Sequence, residues 1–359
     1  MRILQVYMGP YVEDKGGGVS AYVRNISERL AKKHDVTVFA SWQPGLPRFE
    51  VVKGVKVERF VRYAPGGAYS FTLEMPLRLR KVEFDVVHGH CYHALPMHFS
   101  VLAKRRKLVL STHFHGVGHS AFRNSLIKFL KPFGKKTLKE ADWIVAVSEY
   151  EKNLLIRHFK LNPEKIVVIP AGVDLEEFKG VKRRERGFRS LLYVGRLVEY
   201  KGMQYLIEVL PYLTKDVVLE IVGSGPLKTY LENRAKELGV FERVKFYHNL
   251  PRCELLQLFV DADVFVLPSK YEAYSLVVAE ALTAGVPCIV ANTSALKEWI
   301  DGETCFGINY PVRLEDLARV ISTVLNLGIY GKFVSQKWLG KKILNWDDVV
   351  SRLEYLYAD

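Results

Sequence analysis

Short apolar, β-rich runs separated by helical patterns recur along almost the whole chain, and this alternation limits the folds open to it. Ile3–Tyr7, Val36–Ala40, Val55–Phe60, Val86–His88, Leu108–Thr112, Trp143–Val147 and Ile166–Ile169 are such runs, with an amphipathic helix at Val19–Lys33 behind the first. Strands joined through helices form βαβ crossovers, which build a mainly parallel sheet with helices on its faces. The stretch Asp174–Phe188 breaks the rhythm: it is charged, holds two glycines and has little apolar periodicity. It predicts a linker at 175–188. A second alternation follows, with runs at Leu191–Val194, Val217–Val222, Val244–Tyr247, Val264–Leu267 and Ile289–Ala291 and a further helix at Leu314–Leu327. The chain therefore reads as α/β, with two doubly wound domains at 1–174 and 189–344. A separate terminal helix, Trp346–Tyr357, carries Asn345 as cap and Asp347 and Asp348 in its first turn. Ligands of such sheets lie outside the carboxyl ends of the strands.

The 359 residues are enough for two cores. A net charge of +13 favours anionic partners, whether nucleotide phosphates, nucleic acid or an anionic membrane. Nucleic acid is the weakest of these, because no recognition helix or regular aromatic–basic interleave is present. No apolar run reaches the ~18 residues of a membrane span. The N-terminus lacks a signal core, and the four cysteines lack CxxC spacing. A cytoplasmic protein without a disulfide frame or structural zinc is expected.

One segment concentrates the chemistry. Asp263–Pro287 reads as a strand, a loop at Pro268–Tyr274, and a helix from about Ser275 to Ala284, with Ser275 as N-cap, Gly285 as stop and Pro287 barring continuation. Glu272 falls in the loop and Glu280 in the helix. Pure helix between them would set the two about 80° apart; with Glu272 in a loop, both can point into one cleft. The N–H groups of the helix start lie between them and suit an anion. One carboxylate for sugar hydroxyls, amides for a diphosphate and one carboxylate for a ribose outline a nucleotide-sugar site. On this segment alone, a solvated loop glutamate and an ordinary helix glutamate explain the residues equally well.

Other positions point the same way. Arg196 closes the first strand of the second domain and Lys201 opens the next helix, a planar fork and a point charge able to neutralise a leaving diphosphate without a metal. Val222-Gly223-Ser224-Gly225-Pro226 is a strand-to-helix turn that either shapes a nucleobase pocket or is purely structural. Lys15-Gly16-Gly17-Gly18 joins the first strand to the first helix and is a ligand loop or a plain turn; it is not GxGxxG. Seven of the ten histidines cluster at His88, His90, His93, His98, His113, His115 and His119. Without interleaved Cys, Asp or Glu at ligand spacing they argue against a metal and for a substrate-facing role, best at His113. Asp261-Ala262-Asp263 has DxD spacing but precedes its strand, and reads as helix-end polarity.

Taken in order, GGGVSAY, STHFH, VAVSEY, VIPAGVD, VGRLVEYKG, VGSGP, LPSKYEAYSLVVAEALTAGVP and NWDDVVSRLEYLY resemble the GT-B retaining glycosyltransferases of family 4, over nearly the whole chain. The resemblance implies two Rossmann-like domains facing across a cleft, acceptor on the first and nucleotide sugar on the second, with the terminal helix crossing back to the first. It implies Arg196 and Lys201 on the diphosphate, Glu280 on the ribose and Glu272 on the donor sugar. His113 would stand beside the donor sugar, and Gly17 and Gly18 near the β-phosphate. Gly223, Tyr274, Ser275 and Leu276 complete the implied donor set. No metal and no cofactor is implied; the nucleoside-diphosphate sugar is a substrate, and the acceptor a saccharide or a lipid-linked hydroxyl. Two departures stand out. Asn292-Thr293-Ser294-Ala295 replaces a usual glycine pair, and Ala273-Tyr274-Ser275 replaces small-Phe-Gly. A nucleotide-sugar epimerase or hydrolase of the same fold, or a basic nucleic-acid-binding protein, are the alternatives.

Residues 120–140 bear on the acceptor. Phe122, Leu126, Phe129, Leu130 and Phe133 approximate one helical face, while Arg123, Lys128, Lys131, Lys135, Lys136 and Lys139 supply positive charge, and Pro132 is expected to bend or split the helix. Such a stretch either lies in an anionic membrane interface, giving peripheral attachment to the inner face of the membrane, or packs on the sheet with its lysines solvated.

Overall fold

The computed structural model describes residues 1–12, 17–64, 70–118, 120–329 and 338–359, without the side chains of residues 121 and 123. Lys15, Gly16 and His119 lie outside the described residues. The chain divides into two compact units, Met1–Gly172 with Leu344–Asp359, and Val173–Ile343.

The first unit runs β1 (Arg2–Val6), α1 (Gly18–Leu30), β2 (Asp35–Ser41), β3 (Phe49–Val52), β4 (Val55–Phe60), α2 (Glu74–Leu79), β5 (Glu83–His90), α3 (Leu95–Phe99), β6 (Lys104–Ser111), α4 (Ala121–Glu140), β7 (Trp143–Ala146), α5 (Glu149–Phe159) and β8 (Ile166–Val168). Its sheet is ordered β3-β4-β2-β1-β5-β6-β7-β8. All neighbours are parallel except β3, a hairpin partner of β4 across a turn where Lys53 and Gly54 have φ of 47° and 83°. β3 carries no buried apolar run to mark it in the sequence, because Phe49 and Val51 of this edge strand face outward.

The terminal helix, Trp346–Ala358, belongs to this unit, with Trp346, Val349, Val350, Leu353, Leu356 and Tyr357 buried as their spacing predicts. Asn345 caps it, accepting the Asp348 N–H at 2.7 Å. Gly172 lies so close to Trp346 that a Cβ there would come 2.7 Å from the indole. Beneath the helix, the Tyr357 hydroxyl meets His88 Nδ1 at 2.7 Å.

Three of the clustered histidines are core residues rather than loop ligands. His88 and His90 stand within β5, fully buried, and His98 in α3 is nearly so. His88 Nε2 bonds Ser111 Oγ at 2.8 Å, His90 Nε2 bonds Gln5 Oε1 at 2.6 Å and His98 Nε2 bonds the Tyr92 carbonyl at 2.9 Å. Burial holds them neutral, pushing His88 down to about 3 and His98 to about 4. Among the described residues no group of three or more His, Cys, Asp or Glu is arranged to hold a metal ion.

Helix α4 runs from Ala121 to Glu140 with Pro132 inside it, so proline does not split it. Of the two readings of its phenylalanine face, packed on the sheet or exposed, the structure has it exposed. Ile127, Gly134, Thr137 and Leu138 are buried, and a Cβ at Gly134 would fall 2.3 Å from the Tyr92 hydroxyl. Phe122, Phe129 and Phe133 point outward, 65%, 80% and 41% exposed. No described helix is long and apolar enough to cross a membrane.

The second unit runs β9 (Arg189–Val194), α6 (Met203–Val209), β10 (Val217–Val222), α7 (Lys228–Glu237), β11 (Val244–Tyr247), α8 (Arg252–Asp261), β12 (Val264–Leu267), α9 (Leu276–Thr283), β13 (Cys288–Ala291), β14 (Cys305–Ile308) and α10 (Leu314–Leu327). Its sheet is wholly parallel, ordered β11-β10-β9-β12-β13-β14. The strand order reverses between β9 and β12, where such sheets leave a crevice.

Residues 175–188, expected as a linker, are docked on this unit. Arg183 Nη2 reaches Asp263 Oδ1 at 2.6 Å, Arg184 Nε reaches Asp261 Oδ2 at 2.7 Å, and Arg186 Nη2 reaches Glu220 Oε1 at 2.9 Å. The charge that marked the segment as a linker serves buried carboxylates: Asp261 and Glu220 are fully buried, and each would be costly without a cation. It also accounts for the DxD spacing, since Asp263 accepts the Ser190 N–H at 2.7 Å as well.

Candidate functional site

The carboxyl ends of β9 and β12 bring several of the expected residues together. Behind β9, Arg196 donates to the Tyr200 hydroxyl. Lys201 follows, and its ammonium pairs with Glu272 from the loop behind β12, both side chains nearly out of solvent. Two glycines permit this approach. Gly202 has φ of 75°, and a Cβ there would lie 2.4 Å from the Pro268 carbonyl oxygen; at Gly223, behind β10, it would lie 1.9 Å from the Gly195 oxygen. Only bare backbone lets these strand-end loops touch.

The Glu272 loop is pinned from β13. Ser294, in the stretch that replaces a glycine pair, has φ of 45° and its hydroxyl accepts the Glu272 N–H at 3.0 Å. The Thr293 hydroxyl donates to the Ser269 carbonyl at 3.0 Å. Serine thus takes the left-handed backbone that glycine usually supplies and adds a tie to the carboxylate-bearing loop.

The start of α9 differs from the expectation in two ways. Ser275 is the cap residue, but φ is 83°, its side chain makes no cap bond, and its buried Oγ has no hydrogen-bond partner among the described residues. Its carbonyl accepts the Val278 N–H at 3.2 Å, which leaves Leu276 and Val277 as the helix-start amides. The Tyr274 side chain is committed to the core: its hydroxyl donates to the Lys342 carbonyl at 2.6 Å, its ring lies 5.1 Å from Trp299, and Trp299 Nε1 donates to the Tyr274 carbonyl at 2.8 Å.

Glu280, buried in α9, does not share a cation with Glu272. Its Oε1 lies 2.7 Å from Arg252 Nη1, and Arg252 reaches Glu177 Oε2 at 2.7 Å as well. Burial raises the Glu280 carboxyl above the usual range, against the pull of Arg252. Sequence reasoning missed Arg252. Its one local signal is a cation in the first turn of α8, behind Pro251, where the helix dipole disfavours positive charge.

In the first unit, Gly17 caps α1 and Gly18 opens it. Neither has positive φ, and a Cβ at either would meet nothing within 4 Å, so both present open backbone. His113 stands behind β6, half-buried, with φ of 47° and its buried Nε2 unpartnered among the described residues. The Tyr22 ring meets it edge-on at 5.1 Å. Burial pushes His113 down to about 4, so it is a neutral imidazole at physiological pH.

Residues 16–177 match the family described as Glycosyltransferase Family 4 and residues 174–334 that described as Glycosyl transferases group 1. The chain is 30% identical to a glycogen synthase of Mycobacterium tuberculosis, over 91% of this chain and 86% of that protein. It is 29% identical to a GDP-mannose-dependent alpha-(1-6)-phosphatidylinositol monomannoside mannosyltransferase of Mycolicibacterium smegmatis, over 80% of each. Among solved structures, Anabaena HepE in complex with UDP-glucose shares the fold with a TM-score of 0.76 at 17% identity, covering 100% of this chain and 99% of that one. Both α/β units and their strand-end loops are accounted for by one enzyme family: the chain belongs to the group 1, family 4 glycosyltransferases of GT-B fold.

Proposed function

We propose that the chain is a retaining, metal-independent glycosyltransferase that draws its sugar from a nucleoside diphosphate. The observation that carries this reading is the pairing of Lys201 with Glu272 beside Arg196 at the β9–β12 reversal. When the bond between the sugar and the diphosphate breaks and one to the acceptor hydroxyl forms, negative charge grows on the departing phosphates. Arg196, Lys201 and the Leu276 and Val277 amides offer it positive charge and N–H donors, the task a metal performs in other transferases. Glu280 is assigned to the ribose hydroxyls and Glu272 to those of the sugar. In the first unit, Gly17 and Gly18 are assigned to phosphate through their backbone, and neutral His113 to the sugar being transferred. The relatives named for glycogen synthesis and GDP-mannose use, and the solved neighbour with UDP-glucose, support such a donor.

Release of nucleoside diphosphate from UDP-glucose, GDP-mannose and ADP-glucose in the presence of a chelator tests the metal-free step, and NMR of the anomeric proton of the product tests retention. Activity lost to chelator and restored by manganese, or an inverted product, contradicts the reading. Free or epimerised sugar with no transfer favours the hydrolase or epimerase alternative.

For the acceptor side, α4 favours an anionic membrane surface. Its exposed Phe122, Phe129 and Phe133 fall within one narrow arc, flanked by exposed Lys128, Lys136 and Lys139. Aromatic rings can enter the headgroup region while each lysine near anionic lipid adds about 1 kcal/mol. The relative whose name includes a phosphatidylinositol mannoside is in accord with a lipid-linked acceptor. Co-sedimentation with anionic but not neutral vesicles, abolished by Phe129→Ser with Lys128→Glu and Lys136→Glu, is expected. No binding at low salt leaves a soluble saccharide as acceptor.

A further inference from the structure

Glu151 belongs to none of the groups assigned so far, yet it is fully buried at the edge of the His113 turn. It stands in the first turn of α5, where the Ser148 hydroxyl accepts its N–H at 3.1 Å. Its carboxylate spans two strand ends. Oε2 accepts the Val147 N–H behind β7 at 2.8 Å, and Oε1 accepts both the Thr112 hydroxyl and the Phe114 N–H behind β6. His113 is the residue between those two. Its φ of 47° is strained for a non-glycine residue, and such strain lasts only where the surroundings over-determine it.

We propose that Glu151 is a positioning residue for transfer: by clamping Thr112 and Phe114 it holds the His113 imidazole in its strained, half-buried pose. The proposal rests on the assignment of His113 to the transferred sugar. An ionised carboxylate suits the clamp because it accepts at both oxygens. A protonated acid or a carboxamide turns a donor toward one of the three donors and opens the clamp.

Burial pushes Glu151 up to about 7, against the pull of its three donors, so the clamp weakens on acidification through neutrality. Among the described residues, the titratable groups that interact with it electrostatically are Tyr22 from α1 and Cys91 behind β5, and His113 stands between two of its donors. Burial lifts the Tyr22 phenol far above its usual range and the Cys91 thiol to about 11, and it lowers His113 to about 4. Of these, Glu151 alone changes charge near pH 7.

The test is turnover of UDP-glucose or GDP-mannose, whichever stabilises the wild-type chain, from pH 5.5 to 8.5, with NMR of the Phe114 and Val147 amides over the same range. Glu151→Gln is expected to lower kcat about tenfold, the scale of one lost hydrogen bond, with donor KM within about twofold. It also removes an acid limb near pH 7 that wild type shows. Thr112→Val deletes one bond, keeps the side-chain shape and is expected to lower kcat about threefold. The two amides titrate with the same midpoint as the limb in wild type and are flat in Glu151→Gln. An unchanged kcat in Glu151→Gln overturns the proposal, as does an unchanged kcat in Thr112→Val should Glu151→Gln fail to fold. An unchanged kcat in His113→Ala overturns the role of His113 instead, and is told apart because the amide titration persists.

Discussion

The strand-end loops of the two units are built from opposite kinds of polarity. In the second unit each candidate carboxylate has its own cation, Glu272 with Lys201 and Glu280 with Arg252, and Arg196 stands beside them. In the first unit the polar residues in β5, behind β6 and at the start of α5 are neutral or held by neutral donors: His88, His90 and His113 stay unprotonated, and Glu151 is satisfied by two amides and a hydroxyl. Ion pairs can open and re-form around a charged ligand, whereas buried neutral hydrogen bonds hold shape. On the proposed reading, the second unit's ion pairs would exchange charge with a diphosphate, while the neutral hydrogen bonds around His113 would hold a hydroxyl-bearing group in place.

The largest expected effect is on the charged side. Arg196→Ala should lower turnover by roughly a thousandfold, the scale for losing one preorganised donor to developing charge, read by release of nucleoside diphosphate. A loss under tenfold breaks the comparison. Next come the two carboxylates. Glu280→Ala should weaken the binding of UDP or GDP by about tenfold or more in calorimetry, because the hydrogen bonds to ribose go and Arg252 loses its buried partner. Glu272→Ala should leave nucleotide binding nearly unchanged while depressing turnover. Equal losses of nucleotide affinity in both would erase the division of labour between them.

On the neutral side the expectation concerns pH. His88, His90, His98 and His113 have folded values depressed below the ordinary histidine value near 6.5. Between that value and their folded values the unfolded chain binds more protons, so the stability they contribute is complete above about pH 6.5 and drains away as pH falls toward 4. Glu151, raised to about 7, works the other way between about 4.5 and 7 and offsets part of the loss. From pH 7 to 5.5 the net loss should be on the order of 3 kcal/mol, measured by urea unfolding. A stability that rises over that interval contradicts the neutral assignment. The smallest effect is at Ser275, where Gly should relieve the left-handed backbone and an unpartnered hydroxyl, stabilising the chain by about 1 kcal/mol in the same assay.

Much of this architecture was legible because apolar period two and period 3.6 alternate cleanly along the chain, and the terminal helix could be placed from six apolar positions that all proved buried. The glutamates, Arg196, Lys201 and His113 stood out as charged or polar residues next to strand ends. What stayed hidden depends on contacts between distant residues. Arg252 is 28 positions from Glu280, as the numbering shows, and only the packing of α8 beside α9 joins them. In α4, counting apolar residues left open whether the phenylalanine face packs on the sheet or is exposed; the small Gly134, which lets the helix sit on Tyr92, turns the opposite face inward. The arginines of 183–186 read as part of a linker because their partners, Asp261, Asp263 and Glu220, are remote in sequence. Ser275 and Ser294 concealed left-handed positions that glycine would have advertised.

The central claim is that the cations at the β9–β12 reversal bind a nucleoside-diphosphate sugar, and a thermal-shift screen tests it most directly. A ligand at ~100 times its dissociation constant adds ~2.7 kcal/mol of stability, which is several degrees of melting temperature. With chelator present, at least one of UDP-glucose, GDP-mannose and ADP-glucose should raise the melting temperature of the wild-type chain, and Arg196→Ala and Lys201→Ala should lose most of that shift while still melting cooperatively. No shift with any of the three, or a shift that survives both substitutions intact, contradicts the account.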